Sequence, residues 1–360
     1  MSDSSEDEAE YLPSGDECKR RCDEFVNVTG TNSALAMFFL QNVKWDLQAA
    51  INYYFEKNGG APPSLPNSLK RPRDPEESTA DTNPSAKRHS SIEPAGLLQK
   101  AAKNEDKRIR LLSWNIDGLD TNNLKTRTKF VCQVIANENP HIVFLQEVVP
   151  EAVIILKKLC PGYRFTVSGL VGYFTAILLK ESDVKFESEG VQPFYSSVMS
   201  RSLLEIECQV KSMSFLLINT HLESMGSHSA ERKKQLKAGF QKVQEADNSR
   251  TVIFGGDLNL REKELTEIGL PSHVIDVWSA TGERPEAKFT WDLTRNDNKV
   301  LEGKRYQPKC RFDRIYLRHP KAGTLVKPVY FELVGLERIP KCQRFASDHW
   351  GLLAHFDIQV

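Results

Sequence analysis

The chain has 360 residues, 40% of them hydrophobic and 27% charged, which is ordinary for a soluble globular protein of about two domains. Lysine plus arginine equals aspartate plus glutamate at 48 each, so overall charge gives no support to a polyanion-binding protein, and a nucleic-acid site would have to be a local patch. No apolar run approaches the roughly 20 residues of a membrane span, and the acidic amino terminus is not a signal peptide. We therefore expect a protein inside the cell with no membrane partner.

Seven cysteines are scattered along the chain and odd in number. This usage is typical of a reducing compartment rather than of a disulfide framework. Cys18 and Cys22 are four residues apart, but no second pair or histidine cluster completes a zinc site, so we do not expect bound zinc.

The amino-terminal part of the chain predicts a tail and a small bundle. Residues 1–17 are acidic, and we expect a disordered tail there. Residues 18–57 contain three short stretches with apolar residues at helical spacing, which predict a three-helix bundle. The third stretch, residues 45–55, resembles the last helix of the ubiquitin-associated domain family. The resemblance implies binding of ubiquitin or a ubiquitin-like protein; the alternative is a packed bundle that binds nothing.

A linker is predicted over residues 58–106, where paired glycines and many prolines favour an extended, unfolded chain. Two short basic clusters, at 70–73 and 87–88, lie within it. They predict either nuclear import or merely a solubilising charge. We expect a nuclear protein with a cytoplasmic pool.

From residue 107 to residue 360 the pattern alternates between strands and helices. Amphipathic stretches at 124–137, 150–159 and 230–245 predict helices, the last with Arg232 and Lys233 on its outer side. Between them lie short β-branched and aromatic runs that predict strands. Mixed strands with helices between them favour a layered α/β domain with a sheet core.

Several predicted strands adjoin polar side chains. Residues 251–254 read as a strand buried on both faces, which Gly255 and Gly256 end, and Asp257 and Asn259 follow at once. The same pattern recurs at Asn115 and Asp117, Gln146 and Glu147, Asn219 and His221, and Asp313. Asp348 and His349 instead stand just before the final apolar run, residues 350–354. Since open sheets usually carry their chemistry at the carboxyl ends of strands, these groups predict one polar floor assembled from distant parts of the chain.

Six motifs in order carry a family resemblance. They are Trp-Asn-Ile-Asp at 114–117, Leu-Gln-Glu at 145–147, Thr-His-Leu-Glu-Ser at 220–224, Gly-Asp-Leu-Asn at 256–259, Phe-Asp at 312–313 and Ser-Asp-His at 347–349. They resemble the endonuclease/exonuclease/phosphatase superfamily of metal-dependent phosphoesterases. The resemblance implies a four-layer α/β sandwich, in which two packed mixed sheets are flanked by helices. Gly-Tyr-Phe-Thr-Ala at 172–176 and the ubiquitin-associated-like front end resemble the 5′-tyrosyl-DNA phosphodiesterases within it.

The chemistry of these residues suits a phosphodiesterase. Asp117 and Glu147 offer hard oxygen ligands for one Mg²⁺, with Mn²⁺ as a substitute, and the metal would neutralise charge in the transition state. Asp257 is the natural group to orient or deprotonate the attacking water. Asn115 and Asn259 can position water or phosphate without adding negative charge.

Histidines are predicted to contact the phosphate. His349 would donate to a non-bridging oxygen when protonated, and Asp313 would hold its other ring nitrogen and favour the charged form. By resemblance, His221 and Ser224 grip the phosphate from the opposite side. Resemblance also places Tyr173, Arg201, Arg261, Trp291 and Phe312 along the DNA 5′ end, although core packing is an equal alternative for the last two.

The resemblance implies hydrolysis of the phosphodiester between a protein tyrosine and a DNA 5′ end, as in topoisomerase II adducts. A tyrosyl-RNA bond is chemically the same linkage, so we expect 5′-tyrosyl-RNA as a further substrate, and we expect a monomer. A tyrosine phenolate, whose conjugate acid has a pKa of about 10, leaves without much help from a general acid. One alternative is a sibling activity on abasic DNA, poly(A) or inositol phosphates. Another is a ubiquitin-binding adaptor whose catalytic domain is vestigial.

Overall fold

A computed structural model describes residues 15–29, 31, 33–43, 45–57, 107–301 and 307–359. The predicted acidic tail up to residue 14, the predicted linker at 58–106 and both basic clusters lie outside the described residues. None of the described helices is both long and apolar enough to cross a membrane.

The amino-terminal helices are α1 (Gly15–Thr29), α2 (Ser33–Asn42) and α3 (Leu47–Lys57). The first helix begins three residues before the predicted start of this bundle at residue 18. Phe25, Leu40 and Trp45 belong to one buried cluster between the three helices. Within it, Phe25 stacks on Phe39 at 5.7 Å between ring centroids. Since each helix is too short to be stable alone, mutual burial of these apolar side chains holds the bundle together.

The remaining strands and helices alternate along the chain. The strands are β1 (Arg108–Asn115), β2 (Ile142–Val148), β3 (Tyr163–Val167), β4 (Phe174–Lys180), β5 (Val184–Pro193), β6 (Ser202–Val210), β7 (Met213–His221), β8 (Thr251–Asp257), β9 (Val274–Asp276), β10 (Trp291–Asp292), β11 (Lys309–Cys310), β12 (Asp313–Arg318), β13 (Leu325–Val334) and β14 (Gly351–Gln359). The helices are α4 (Leu124–Glu138), α5 (Pro150–Leu159), α6 (Ser229–Glu245), α7 (Glu262–Ile268) and α8 (Val277–Ala280), with a 3₁₀ turn at Pro285–Ala287. The three predicted helices are confirmed to within one residue at each end.

The described strands form two six-stranded sheets and one two-stranded ribbon of β10 and β11. The first sheet has the order β13-β14-β1-β2-β4-β3, and the second has the order β5-β6-β7-β8-β12-β9. Both are mixed, because β1 with β2 and β7 with β8 are parallel pairs among antiparallel ones. The predicted mixed α/β architecture is confirmed.

Three apolar layers hold the sandwich together. Leu111, Phe144, Leu217 and Ile253 belong to the layer between the two sheets. Helices α4 and α5 pack on the outer face of the first sheet, and α6 packs on the outer face of the second. The order helix, sheet, sheet, helix confirms the predicted four-layer sandwich.

The inner faces of the central strands change from apolar to polar toward one end. On β7 the inward side chains run from Leu217 to Asn219 and His221, since alternate residues share a face. The parallel pairs β1/β2 and β7/β8 bring the carboxyl ends of their strands to this same edge. The predicted polar floor is therefore the polar end of the space between the sheets.

Two local predictions were wrong. Strand β8 continues through Gly255 and Gly256 to Asp257, because Gly256 takes a φ of 126°, where an added Cβ would lie 2.0 Å from the Thr220 carbonyl oxygen. Asp313 begins a strand instead of following one: β12 runs antiparallel to β8, which places Asp313 directly opposite Asp257.

Candidate active site

Asp257 lies at the centre of the polar floor. It is 1% exposed and ends β8. Asn115 Nδ2 donates to its Oδ2 at 2.9 Å, and the backbone N–H of Asn259 donates to its Oδ1 at 2.9 Å. Burial alone would raise the pKa of Asp257, but the nearby His221 and His349 and the Asn115 hydrogen bond hold the pKa well below the usual range. Asp257 is therefore an ionised carboxylate with a fixed orientation.

His349 is held by Asp313 on one side of Asp257. Its Nδ1 lies 2.9 Å from Asp313 Oδ2, and its Nε2 lies 3.8 Å from Asp257 Oδ2. Burial by itself lowers the pKa of His349, but the charges of Asp313, Asp257 and Asp348 outweigh it and hold the pKa well above the ordinary value. The ring is therefore a cation at neutral pH.

His221 approaches Asp257 from the other side. Its Nδ1 lies 3.0 Å from Arg201 Nη1, and an arginine can only donate, so Nδ1 accepts and Nε2 carries the hydrogen. Nε2 lies 3.2 Å from Asp257 Oδ2, yet this buried atom has no hydrogen-bond partner within the described residues. It is available to donate to a bound anion.

Ser224 joins the same side of the site. Its Oγ accepts from Arg201 Nη2 at 3.1 Å and from Asn259 Nδ2 at 3.2 Å. Residues 225–227, just after the Thr-His-Leu-Glu-Ser motif, carry no cation. Arg201, from the loop before β6, therefore brings positive charge to this point.

Several carboxylates face one another beside Asp257. Glu147, His221 and Asp257 offer ligand atoms that all lie within 4.8 Å of one another, and Asn115 Nδ2 donates to Glu147 Oε1 at 3.1 Å. Asp117 lies outside this group, but burial raises its pKa well above the ordinary value, and the charges of Asp348 and Glu147 raise it further. Closely spaced carboxylates that repel one another, with mostly oxygen donors, fit a hard divalent cation.

Strained backbone concentrates at the same place. Asp117, Glu147 and Asn259 all have positive φ, at 49°, 53° and 49°. L-residues rarely adopt this conformation, and it persists where the surrounding structure enforces it. Three site residues thus depend on their surroundings for their direction.

Aromatic side chains line the rim on the His349 side. The rings of Trp291 and Phe312 lie 5.3 Å apart between centroids, and Trp291 Nε1 donates to Asp348 Oδ2 at 3.0 Å. Arg261 lies over Phe312 at 5.4 Å. Phe312 is 8% exposed, so it packs into the wall, whereas Trp291 is half-buried. On the other side, Tyr173 lies 5.0 Å below the guanidinium of Arg201.

All fourteen predicted site residues thus line this edge of the sandwich or its rim. Sequence reasoning counted Asp348 in the polar floor without giving it a role, and it missed Lys299. Lys299 Nζ lies 3.9 Å from Asp348 Oδ2, and the charge of Asp348 raises the pKa of Lys299. A role for Asp348 could have been expected, because it stands directly before His349 in the Ser-Asp-His motif; nothing in the sequence marks Lys299.

One further expectation about charge was wrong. Arg232 was predicted on the outer side of its helix, but it is 0% exposed. Its guanidinium pairs with Glu264 at 2.5 Å and donates to the Glu223 carbonyl at 2.7 Å, so it braces the loop that carries Ser224. Lys233 and Lys234 do lie outside, but each pairs with a glutamate.

Two family models match the sequence. The model described as the Endonuclease/Exonuclease/phosphatase family matches residues 112–349, and the model described as a UBA-like domain matches residues 19–61. The first match contains every predicted site residue.

Among curated proteins, "Tyrosyl-DNA phosphodiesterase 2" of Bos taurus is 39% identical over 98% of this chain and 96% of its own length. The Homo sapiens protein of that name is 39% identical over 94% of this chain and 93% of its own length. Among solved structures, Danio rerio TDP2 "complexed with single strand DNA product" is 41% identical, with a TM-score of 0.67 over 69% of this chain and 99% of that chain. Caenorhabditis elegans TDP2 is 32% identical, with a TM-score of 0.65 over 99% of this chain and 98% of that chain.

Proposed function

The chain belongs to the endonuclease/exonuclease/phosphatase family and, over nearly its whole length, to the tyrosyl-DNA phosphodiesterase 2 proteins within it, and we propose that it hydrolyses the phosphodiester between a protein tyrosine and a DNA 5′ end. The observation that carries the proposal is the approach of His221 and His349 to within 4 Å of the same Asp257 oxygen at the polar end of the sandwich. The products are a 5′-phosphorylated DNA and a free tyrosine side chain.

We propose Mg²⁺ as the cofactor, held by Glu147 and Asp117, with Mn²⁺ able to replace it. When bound, the ion would neutralise negative charge on the phosphate oxygens. The mutual repulsion of Asp117, Glu147 and Asp348 supports this assignment, because a cation would relieve it. Their oxygen donors suit Mg²⁺ better than a softer metal.

Side chains of the protein activate the water and stabilise the charge on the phosphate. Asp257 is held by Asn115 and Asn259 so that a free lone pair can orient the attacking water and take its proton. His349, as a cation, and His221, through its Nε2–H, donate to the non-bridging oxygens and stabilise the charge that develops there. The bond from phosphorus to water forms as the bond to the tyrosine oxygen breaks.

The leaving group and the rim are consistent with this substrate. A phenolate, whose conjugate acid has a pKa of about 10, departs without a dedicated general acid. Trp291 and Tyr173 present aromatic faces on opposite sides of the site, and Arg261 and Arg201 lie over aromatic rings beside it. Such surfaces stack bases and hold the backbone of a single strand. We place the DNA 5′ end along them.

The test uses a single-stranded oligonucleotide that carries a 5′-phosphotyrosine. Wild type should release free tyrosine and leave a 5′ phosphate with Mg²⁺ but not with chelator, and Asp257→Asn should lose at least about 10³-fold in kcat. Abasic duplex DNA and an inositol phosphate serve as comparison substrates. Good turnover of either of these, with none of the tyrosyl substrate, would reassign the chain to a sibling activity.

We further propose that topoisomerase II adducts are the biological substrate, that 5′-tyrosyl-RNA is cut as well, and that the enzyme acts as a monomer in the nucleus, imported through the basic clusters at 70–73 and 87–88. The amino-terminal helices, proposed as a separate domain over 18–57, would bind ubiquitin or a ubiquitin-like protein; the UBA-like match supports this. Titration of the full chain with labelled ubiquitin tests the proposed binding by the amino-terminal helices. A full chain that shows no response to ubiquitin would leave the bundle without this role.

A further inference from the structure

A bulge in β2 sets the direction of Glu147. The ladder between β2 and β4 pairs Leu145 with Ala176 and next pairs Val148 with Phe174. Two residues of β2, Gln146 and Glu147, therefore stand opposite one residue of β4. Such a bulge re-aims a side chain at the cost of ladder hydrogen bonds, and here Glu147 takes its positive φ of 53°.

A buried amide from the other sheet donates to the backbone beside this bulge. Asn219 Nδ2 donates to the Leu145 carbonyl at 3.0 Å and to the Ala176 carbonyl at 2.8 Å. These two carbonyls belong to the last regular pair before the bulge, one on each strand. The side chain of Asn219 is 0% exposed, so no solvent could replace it.

The bulge itself is tied to the same amide. Gln146 Nε2 donates to Asn219 Oδ1 at 2.8 Å. Because both carbonyls can only accept, the orientation of the Asn219 amide is fixed: its nitrogen faces Leu145 and Ala176, and its oxygen faces Gln146. Asn219 thus uses both of its donor hydrogens and its oxygen on this one irregularity.

The backbone of the bulge is held from its other side by β1 and the loop after it. Ile116 N–H donates to the Gln146 carbonyl at 3.1 Å, and Gly118 N–H donates to the Glu147 carbonyl at 3.1 Å. The loop and Asn219 therefore bond to the backbone at different points, the loop at Gln146 and Glu147 and Asn219 at the pair before them.

We infer that Asn219 is a positioning residue for the metal ligand Glu147: it braces the β2 bulge from the second sheet and so holds the carboxylate in the site. Asn219 also precedes His221 by two residues on the same inner face of β7. One strand therefore carries a phosphate donor and sets the position of a ligand on the opposite sheet. The inference rests on the proposed role of Glu147 in binding the cation.

The substitution Asn219→Asp keeps the volume of the side chain and removes its donors. A carboxylate oxygen then faces the Leu145 and Ala176 carbonyls, so the bulge loses its brace and Glu147 its direction. We expect the full chain with this substitution to bind Mn²⁺, measured by electron paramagnetic resonance without substrate, about 10- to 100-fold more weakly, as happens when partners behind metal ligands are lost. The Mg²⁺ concentration for half-maximal tyrosine release should rise by the same factor.

Leu217→Val is the matched control. Leu217 lies on the same strand and the same inner face, is 0% exposed, and packs only in the apolar layer. It should lower the melting temperature and leave the Mn²⁺ affinity within about two-fold, because an aliphatic side chain makes no hydrogen bond to the bulge. Equal Mn²⁺ affinity for Asn219→Asp and Leu217→Val would overturn the inference and leave Asn219 a structural residue.

Gln146→Leu decides the matter if Asn219→Asp does not fold. It removes the bonds from Gln146 Nε2 to Asn219 Oδ1 and, at 3.4 Å, to Ser113 Oγ. It should weaken Mn²⁺ binding by a smaller factor, because Asn219 still donates to both carbonyls. Unchanged Mn²⁺ affinity in this variant would also count against the inference. A wild type that neither binds Mn²⁺ nor releases tyrosine would instead refute the proposed function, so the two failures are distinguishable.

Discussion

Two histidines flank Asp257, and the side chains behind them give the two rings different hydrogen-bonding states. The Nε2 atoms of His221 and His349 lie 3.2 Å and 3.8 Å from the same Asp257 oxygen. Behind His221 stands Arg201, a donor, whereas behind His349 stands Asp313, an acceptor. The first ring must accept on Nδ1, while the second donates from Nδ1 and keeps its charge.

The residue on the far nitrogen therefore decides what each ring offers a phosphate. His221 presents one N–H without adding a formal charge, and His349 presents an N–H with a positive charge. The site thus combines one neutral and one charged donor around a single carboxylate. Replacing each ring by an amide, which can donate but cannot be charged, separates the two roles.

His349→Gln should cause the largest loss. Glutamine can donate but carries no charge, so the transition state loses its cation on this side, and we expect kcat to fall about 10³-fold. Tyrosine release from the 5′-phosphotyrosyl oligonucleotide at saturating Mg²⁺ measures it. A loss of less than ten-fold would mean that the charge of His349 is dispensable and would remove the distinction between the two sides.

Asp313→Asn should lower kcat only slightly at low pH and more strongly at high pH. The charge of Asp313 helps to raise the pKa of His349, so its removal lowers that pKa. Activity that needs the cation is lost as pH rises through the pKa, so the alkaline limb of kcat should move to lower pH. At pH 8 we expect about a 10²-fold loss.

The same substitution should change stability on the alkaline side. In wild type the raised pKa of His349 contributes stability that is fully present below the unfolded value of about 6.5 and is lost as pH rises through the folded pKa. Asp313→Asn should flatten this fall, as measured by denaturant unfolding at several pH values. A pH profile identical to that of wild type would show that Asp313 does not set the charge of His349.

His221→Gln should have a smaller effect than His349→Gln. The ring acts through a neutral N–H, which the glutamine amide can supply, although its fit to Arg201 changes, so we expect about a ten-fold loss in kcat. The alkaline limb should stay in place, since His349 and Asp313 are untouched. A loss as large as that of His349→Gln would indicate that His221 is also charged during the reaction.

The sequence predicted the members of this comparison but not their environments. Motifs beside apolar runs placed Asp257, His221 and His349 together: the first two end neighbouring parallel strands, and His349 stands just before the last strand. The pairing of β12 against β8, which sets Asp313 opposite Asp257, depends on which strand runs antiparallel, and no local pattern in the sequence carries that information.

Contacts between buried side chains that lie far apart in the chain also could not be predicted from the sequence. Arg232 looked like a surface cation by helical periodicity, yet Glu264, 32 residues later, draws it inside. Asn219 stood inside a recognised motif, but its bonds to Leu145 and Ala176 arise only when the two sheets pack. Periodicity predicts which face a residue occupies, and tertiary packing decides the partner it finds there.

Lys299→Ala should have the smallest effect and sharpen the contrast between buried and exposed cations. Lys299 and His349 both lie near Asp348, but the lysine side chain is 61% exposed, so water screens its charge, whereas His349 is buried. We expect kcat at saturating Mg²⁺ to change less than about two-fold. Because its ammonium competes with a metal for the same carboxylates, Mn²⁺ should bind the variant slightly more tightly. A ten-fold loss in kcat would mean instead that Lys299 turns inward and grips the substrate phosphate, which would make the His349 side doubly cationic.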